Sequence, residues 1–214
     1  VSAEDPRHYI WWLISRASGL VALALVTLAV LIGLTMSTRS VGKPALRRSL
    51  MRLHENVALA GLIAIALHGL ALLGDHWLRP GIAGISVPFT LRYRPLYTGL
   101  GIIGGYLAAI LALSYYFRTR MGVRLWRRLH RATVIAYALC VVHTIGAGSD
   151  GSSLWLRAAV FATAAPIAYL TLVRMFVAAP APPAAAAAPP DPMITARRLE
   201  EAPAAALTPG GAHG

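Results

Sequence analysis

Five long apolar runs dominate the chain and decide what it can fold into. They extend from about Leu13 to Met36, Leu53 to Leu73, Leu96 to Phe117, Leu129 to Ala147 and Leu154 to Val177. An α-helix needs roughly 20 mostly apolar residues to cross about 30 Å of hydrocarbon, and each run is close to that length. Strands are excluded, because no run alternates and all are too long for barrel strands. The first run is too long for a signal-peptide core, and no small-residue cleavage site follows it. Composition agrees: 57% of residues are hydrophobic and only 13% charged, against about 25% charged in a soluble domain. The net charge of +12 would suit a nucleic-acid partner, but the basic residues punctuate the apolar runs, so no nucleic-acid role is read from them. Cys140 is the single cysteine, which rules out an intrachain disulfide framework. The expected fold is an all-α integral membrane protein, a bundle of five transmembrane helices.

Basic residues orient this bundle. Arg39, Lys43, Arg47, Arg48 and Arg52 follow the first run, and Arg118, Arg120, Arg124, Arg127 and Arg128 follow the third, with Arg131 just inside the fourth. The loop between the second and third runs has only Arg79, Arg92 and Arg94, and the 148–153 loop has none. Positive loops stay inside, so the expected N-terminus is outside and the C-terminus cytoplasmic, in the plasma membrane. Residues 1–12 form an extracytoplasmic segment and 13–177 the membrane domain. Residues 178–214 are Ala- and Pro-rich, which points to a disordered cytoplasmic tail, with a short helix expected around Ile194–Glu201.

Four histidines stand inside the apolar runs. His54 and His68 are 14 residues apart on the second, and His130 and His143 are 13 apart on the fourth. These steps rise roughly 21 Å and 20 Å along a helix. His54 and His130 each fall about one residue from a basic loop, and His68 and His143 near the opposite end. They therefore make two pairs at matched depths. Ionisable side chains in hydrocarbon are costly and usually functional. A bis-histidine haem needs one imidazole from each of two facing helices. Two haems between helices 2 and 4 would form an electron path across the membrane, with no open ligand position at iron. The spacing carries one difficulty: a 14-residue step returns within about 40° of the same helix face, whereas a 13-residue step misses by about 140°. A bend, a π-bulge or side-chain reach must close that gap, and no Pro or Gly lies between His130 and His143 to supply it. The same histidines would also serve as buried polar residues bonded to a neighbouring helix, as ligands of a single haem, or in a non-redox protein such as a metal or proton transporter or an assembly factor. Only Glu55 and Asp75 lie near them as acidic partners.

The segment LHENVALAGLIAIALHGLALL (Leu53 to Leu73) resembles the first haem-binding helix of the ferric reductase-like transmembrane family, and RRLHRATVIAYALCVVH (Arg127 to His143) resembles the second. ISRASGLVALALVTLAVLIGL (Ile14 to Leu34) is similar to the helix that precedes them in bacterial members. The family includes ferric reductases, NADPH oxidases and the haem-binding membrane subunit of a bacterial methionine sulfoxide reductase system. The resemblance spans about residues 10–177. It implies two b haems, the inner held by His54 and His130 and the outer by His68 and His143, in the electron-transfer subunit of an oxidoreductase. Six-helix members have an additional helix before the first one here, and NADPH oxidases continue into a flavin- and nicotinamide-binding domain. The expected donor is therefore a separate flavoprotein reductase or membrane quinol. The expected acceptor is extracytoplasmic: ferric iron, oxygen or a partner oxidoreductase.

Haem propionates are anionic and attract cations. Arg52, Arg127, Arg128 and Arg131 are candidates on the cytoplasmic side, and Arg16 with Arg92 or Arg94 on the outer side; snorkelling to lipid headgroups explains the same residues. Gly19, Gly61 and Gly69 could make room for a porphyrin or for close helix contacts. Gly99, Gly101 and Gly104 spell G-x-G-x-x-G, but they open a membrane span rather than follow a strand, so close helix packing is expected. Val87-Pro-Phe-Thr90 resembles a flavin-binding motif but stands in an outer loop with Val in place of His. Asp75 and His76 are read as exposed loop residues at the outer mouth, and His8 and His213 as solvated terminal residues.

Overall fold

The computed structural model describes residues 7–38 and 42–176. The expected 178–214 tail with its helix and His213, residues 1–6, Arg39, Val177 and the His8 side chain lie outside the described residues. Every element is helical: α1 (Arg7–Ser37), α2 (Pro44–Ala71), α3 (Gly81–Ser86), α4 (Pro95–Leu113), α5 (Arg118–Met121), α6 (Val123–His130), α7 (Thr133–Ala147) and α8 (Leu154–Phe176), with 3₁₀ turns at Leu72–Gly74 and Ser114–Phe117. Five helical stretches are long and apolar enough to cross a membrane: Tyr9–Ser37, Pro44–Gly74, Pro95–Met121, Val123–Ala147 and Leu154–Phe176. The protein is thus an all-α, multi-pass membrane protein, and each expected span has its helix.

The helices reach beyond the apolar runs. Hydropathy marks only the lipid-crossing part, whereas Pro44 and Pro95 fix where α2 and α4 begin, each at a first helical position where the missing N–H costs nothing. His54 consequently lies about three turns inside α2, not one residue from its start.

Helix α2 shows the packing logic. Val57, Gly61, Ala64 and Ala71 form its buried face, while Leu59, Ile63, Leu67 and Leu70 are exposed on the other, as lipid contact requires. Small residues on the buried face let backbones approach. Helix α1 lies along α2, and α4 along α7; α1 also meets α7 and α8. A cluster of Val30, Leu34, Tyr137 and Ile167 ties α1, α7 and α8 together. At the other end of α7, a Cβ added at Gly146 would overlap the Tyr97 ring of α4. Gly146→Ala is expected to destabilise the protein by about 1–3 kcal/mol through overpacking, read as a lower thermal midpoint in detergent.

Candidate functional site

Helices α2 and α7 are not among the well-packed pairs of described elements; each leans on its own partner, α1 or α4. Across the slot between them the four histidines meet two by two. The rings of His54 and His130 have centroids 6.2 Å apart with planes at 81°. Those of His68 and His143 are 6.0 Å apart at 73°. An imidazole nitrogen binds a first-row metal at about 2.0 Å, so two imidazoles on one metal have centroids separated by about 6 Å. Both pairs fit that grip. All four side chains are half-buried.

The 13-residue step is reconciled by a break in the helix. Between α6 and α7 the N–H groups of Arg131, Ala132, Val134 and Ile135 donate to Arg128, Leu129, Arg131 and Ala132, each three residues back. Steps of this 3₁₀ kind turn the chain by about 120° instead of about 100°, so four of them recover roughly 80° of the about 140° deficit. Local over-winding thus supplies more than half of the rotation that brings His130 and His143 towards one face.

Backbone carbonyls fix three of the imidazoles. His54 Nδ1 donates to the Ala29 carbonyl at 2.9 Å, His68 Nδ1 to Ser15 at 2.8 Å and His143 Nδ1 to Tyr97 at 2.9 Å. A carbonyl can only accept, so each Nδ1 carries the proton and each Nε2 lone pair is left for a metal. Histidine ligands of metals are typically oriented this way. His130 differs: its Nδ1 is buried without a hydrogen-bond partner, and its ring stacks on Trp126 with centroids 5.0 Å apart. Among the described residues no group of three or more His, Cys, Asp or Glu could hold a bare metal ion. Each depth offers two imidazoles, the number required by an iron already held by a porphyrin.

A largely apolar cavity of about 870 Å³ opens beside His68 and His143, lined also by Trp12, Arg16, Gly19 and Asp150. Cofactor sites fall in this size range. Arg16 and Asp150 pair in its lining: Nε and Nη2 of Arg16 each donate to a carboxylate oxygen of Asp150 at 2.7 Å, and the guanidinium lies 5.2 Å from the Trp12 ring centroid. Arg52, Arg127 and Arg131 are exposed, and Arg131 begins the over-wound turn. Arg94 donates to the Gly146 carbonyl, tying the loop before α4 to the end of α7.

Some expectations need correction. Asp75 is not an exposed loop residue; it is buried, and its Oδ1 accepts the N–H groups of Trp77 and Leu78 at 2.8 and 3.0 Å. His76 is exposed. A Cβ at Gly69 would meet nothing within 4 Å, whereas one at Gly61 would make ordinary contact with Leu25 and Val26. One at Gly19 would press on the His68 ring, at 2.9 Å from Nδ1. Gly99, Gly101 and Gly104 do serve close packing, against Phe89, His143 and Leu139 respectively. Sequence reasoning missed Asp150, Trp126 and the carbonyls of Ser15, Ala29 and Tyr97. No side-chain signal marks a carbonyl acceptor.

The family model described as ferric reductase like transmembrane component matches residues 18–141, more than half of the chain. The chain belongs to the ferric reductase-like transmembrane family. The match includes His54, His68 and His130 and stops two residues before His143. Comparison with curated proteins and with solved structures returned no match. Membership gives this ferric reductase-like protein a role in transmembrane electron transfer, in a family that commonly binds haem and generally works with partner reductases.

Proposed function

We propose that the chain is the electron-transferring membrane subunit of an oxidoreductase and binds two b haems, one between His54 and His130 and one between His68 and His143. The carrying observation is that both pairs sit at the ring separation of a shared metal, 6.2 and 6.0 Å. When bound, each haem would supply a one-electron ferric/ferrous couple, held by the two histidines of its pair. The chain supplies the rest. His54, His68 and His143 present Nε2 because their Nδ1 protons are held by carbonyls. Apolar side chains line the cavity beside His68 and His143 and would keep a porphyrin there in a medium of low polarity. Arg52, Arg127 and Arg131, close in sequence to His54 and His130, would offer positive charge to propionates, as would Arg16 on opening its ion pair with Asp150.

The basic loops support an orientation in the plasma membrane with His54 and His130 toward the cytoplasm, the N-terminus outside and the C-terminus inside. Electrons enter from a separate flavoprotein reductase or quinol and leave to an extracytoplasmic acceptor: ferric iron, oxygen or a partner oxidoreductase.

Purified protein is expected to show a b-type reduced-minus-oxidised spectrum with two haems per chain. One haem per chain would select a single-site protein, and a preparation without a Soret band would reject the redox reading in favour of a metal or proton transporter or an assembly factor.

A further inference from the structure

The carbonyls that hold the imidazoles share a register. The Ser15 acceptor of His68 is four residues before Gly19, the Ala29 acceptor of His54 four before Gly33, and the Tyr97 acceptor of His143 four before Gly101. In a helix the side chain at i+4 covers the carbonyl of residue i. A glycine there uncovers it. The spatial data agree at each position: an added Cβ would lie 2.9 Å from His68 Nδ1 at Gly19, 3.2 Å from His54 Cε1 at Gly33, and in overlap with the His143 ring at Gly101.

The register also repeats. Ser15 and Ala29 are 14 residues apart on α1, matching His54 and His68 on α2. On α4, 14 residues beyond Tyr97 is Leu111, whose carbonyl accepts the Ser114 hydroxyl at 2.7 Å. The glycine due four residues later is Tyr115. Tyr115 packs edge-on to Trp126, with centroids 5.9 Å apart, and Trp126 stacks on His130. This is the one histidine of the four whose Nδ1 finds no partner.

We propose that Gly19, Gly33 and Gly101 are positioning residues that open a backbone carbonyl to His68, His54 and His143, leaving the His54–His130 pair with one carbonyl-bonded ligand and the His68–His143 pair with two. The inference rests on the dihaem reading. A carbonyl on Nδ1–H makes Nε2 a stronger donor, which favours ferric over ferrous iron and lowers the midpoint potential.

The test is a potentiometric titration of the full haem-loaded protein. The two haems are assigned by the signal missing in His130→Ala. Gly33→Ala, which pushes the His54 ring off Ala29, raises the potential at His54–His130 and leaves the other haem unmoved. Gly19→Ala, which presses on the His68 ring, raises the potential at His68–His143 and leaves the first unmoved. Each shift corresponds to about tenfold in the ferrous-to-ferric ratio at fixed potential, about 59 mV for one electron. Gly42→Ala, whose added Cβ meets nothing within 4 Å, moves neither. Lowered or unchanged potentials overturn the proposal. If one variant fails to hold its haem, the other decides alone. A wild-type chain without haem would instead sink the functional reading. Ring ¹⁵N spectra of the full chain in bilayers then decide: Nδ1-protonated His54, His68 and His143 support the clamp, and Nε2-protonated rings overturn it.

Discussion

His143→Ala is expected to remove one haem, keep the other and stop electron transfer across the membrane. His68 and His143 face each other with ring centroids 6.0 Å apart, and no third donor group stands with them among the described residues. Without one imidazole, that depth would keep a single histidine beside an apolar cavity. The second pair lies roughly 21 Å away along α2 and is held by different contacts, Ala29 for His54 and Trp126 for His130. Its haem should therefore stay low-spin with an unchanged spectrum. Haem per chain falls to about half, since six-coordinate binding needs both axial ligands at each iron. Transmembrane reduction of an acceptor outside proteoliposomes should drop to background. Equal loss of both haems would contradict two separate sites.

The spans were legible because the signal behind them is coarse. A run such as Leu154 to Val177 is too apolar for any setting but lipid, and α8 follows it closely. The histidine pairing was legible for a related reason: only a few ionisable residues interrupt these runs, so equal depth is informative. What the runs hid was anything carried by the backbone or by a loop. The carbonyls of Ser15, Ala29 and Tyr97 leave a trace only through the glycines four residues on, and at Gly101 the G-x-G-x-x-G spacing points to close helix packing without naming the His143 ring as the neighbour. Asp150 sits 134 residues from the Arg16 it pairs with, a proximity that no local pattern encodes. The break after His130 lacks the Pro or Gly that usually marks one, so it shows only in the hydrogen-bond pattern of the folded chain.

That break gives the second large expectation. Deleting Ala132 shortens the His130–His143 step by one residue and rotates one half of the span against the other by about 100–120°. Either half could absorb the rotation, and the packing indicates which. Helix α7 is locked, because Gly104 of α4 fits against Leu139 and Cys140, and Tyr137 belongs to the cluster with Val30, Leu34 and Ile167. Helix α6 is short, and its Val123, Leu125 and Leu129 are exposed, so it is the half that turns. His130 then swings away from His54, while His143 keeps its Tyr97 carbonyl. The variant should lose the His54–His130 haem and retain the His68–His143 haem, so its remaining spectrum matches that of His130→Ala and differs from that of His143→Ala. Ala132→Ser preserves the residue count and should keep both haems. A deletion variant that retains both would show that the over-wound turn does not set the register. Loss of the His68–His143 haem alone would show that α7 yields before α6, against the packing described for it.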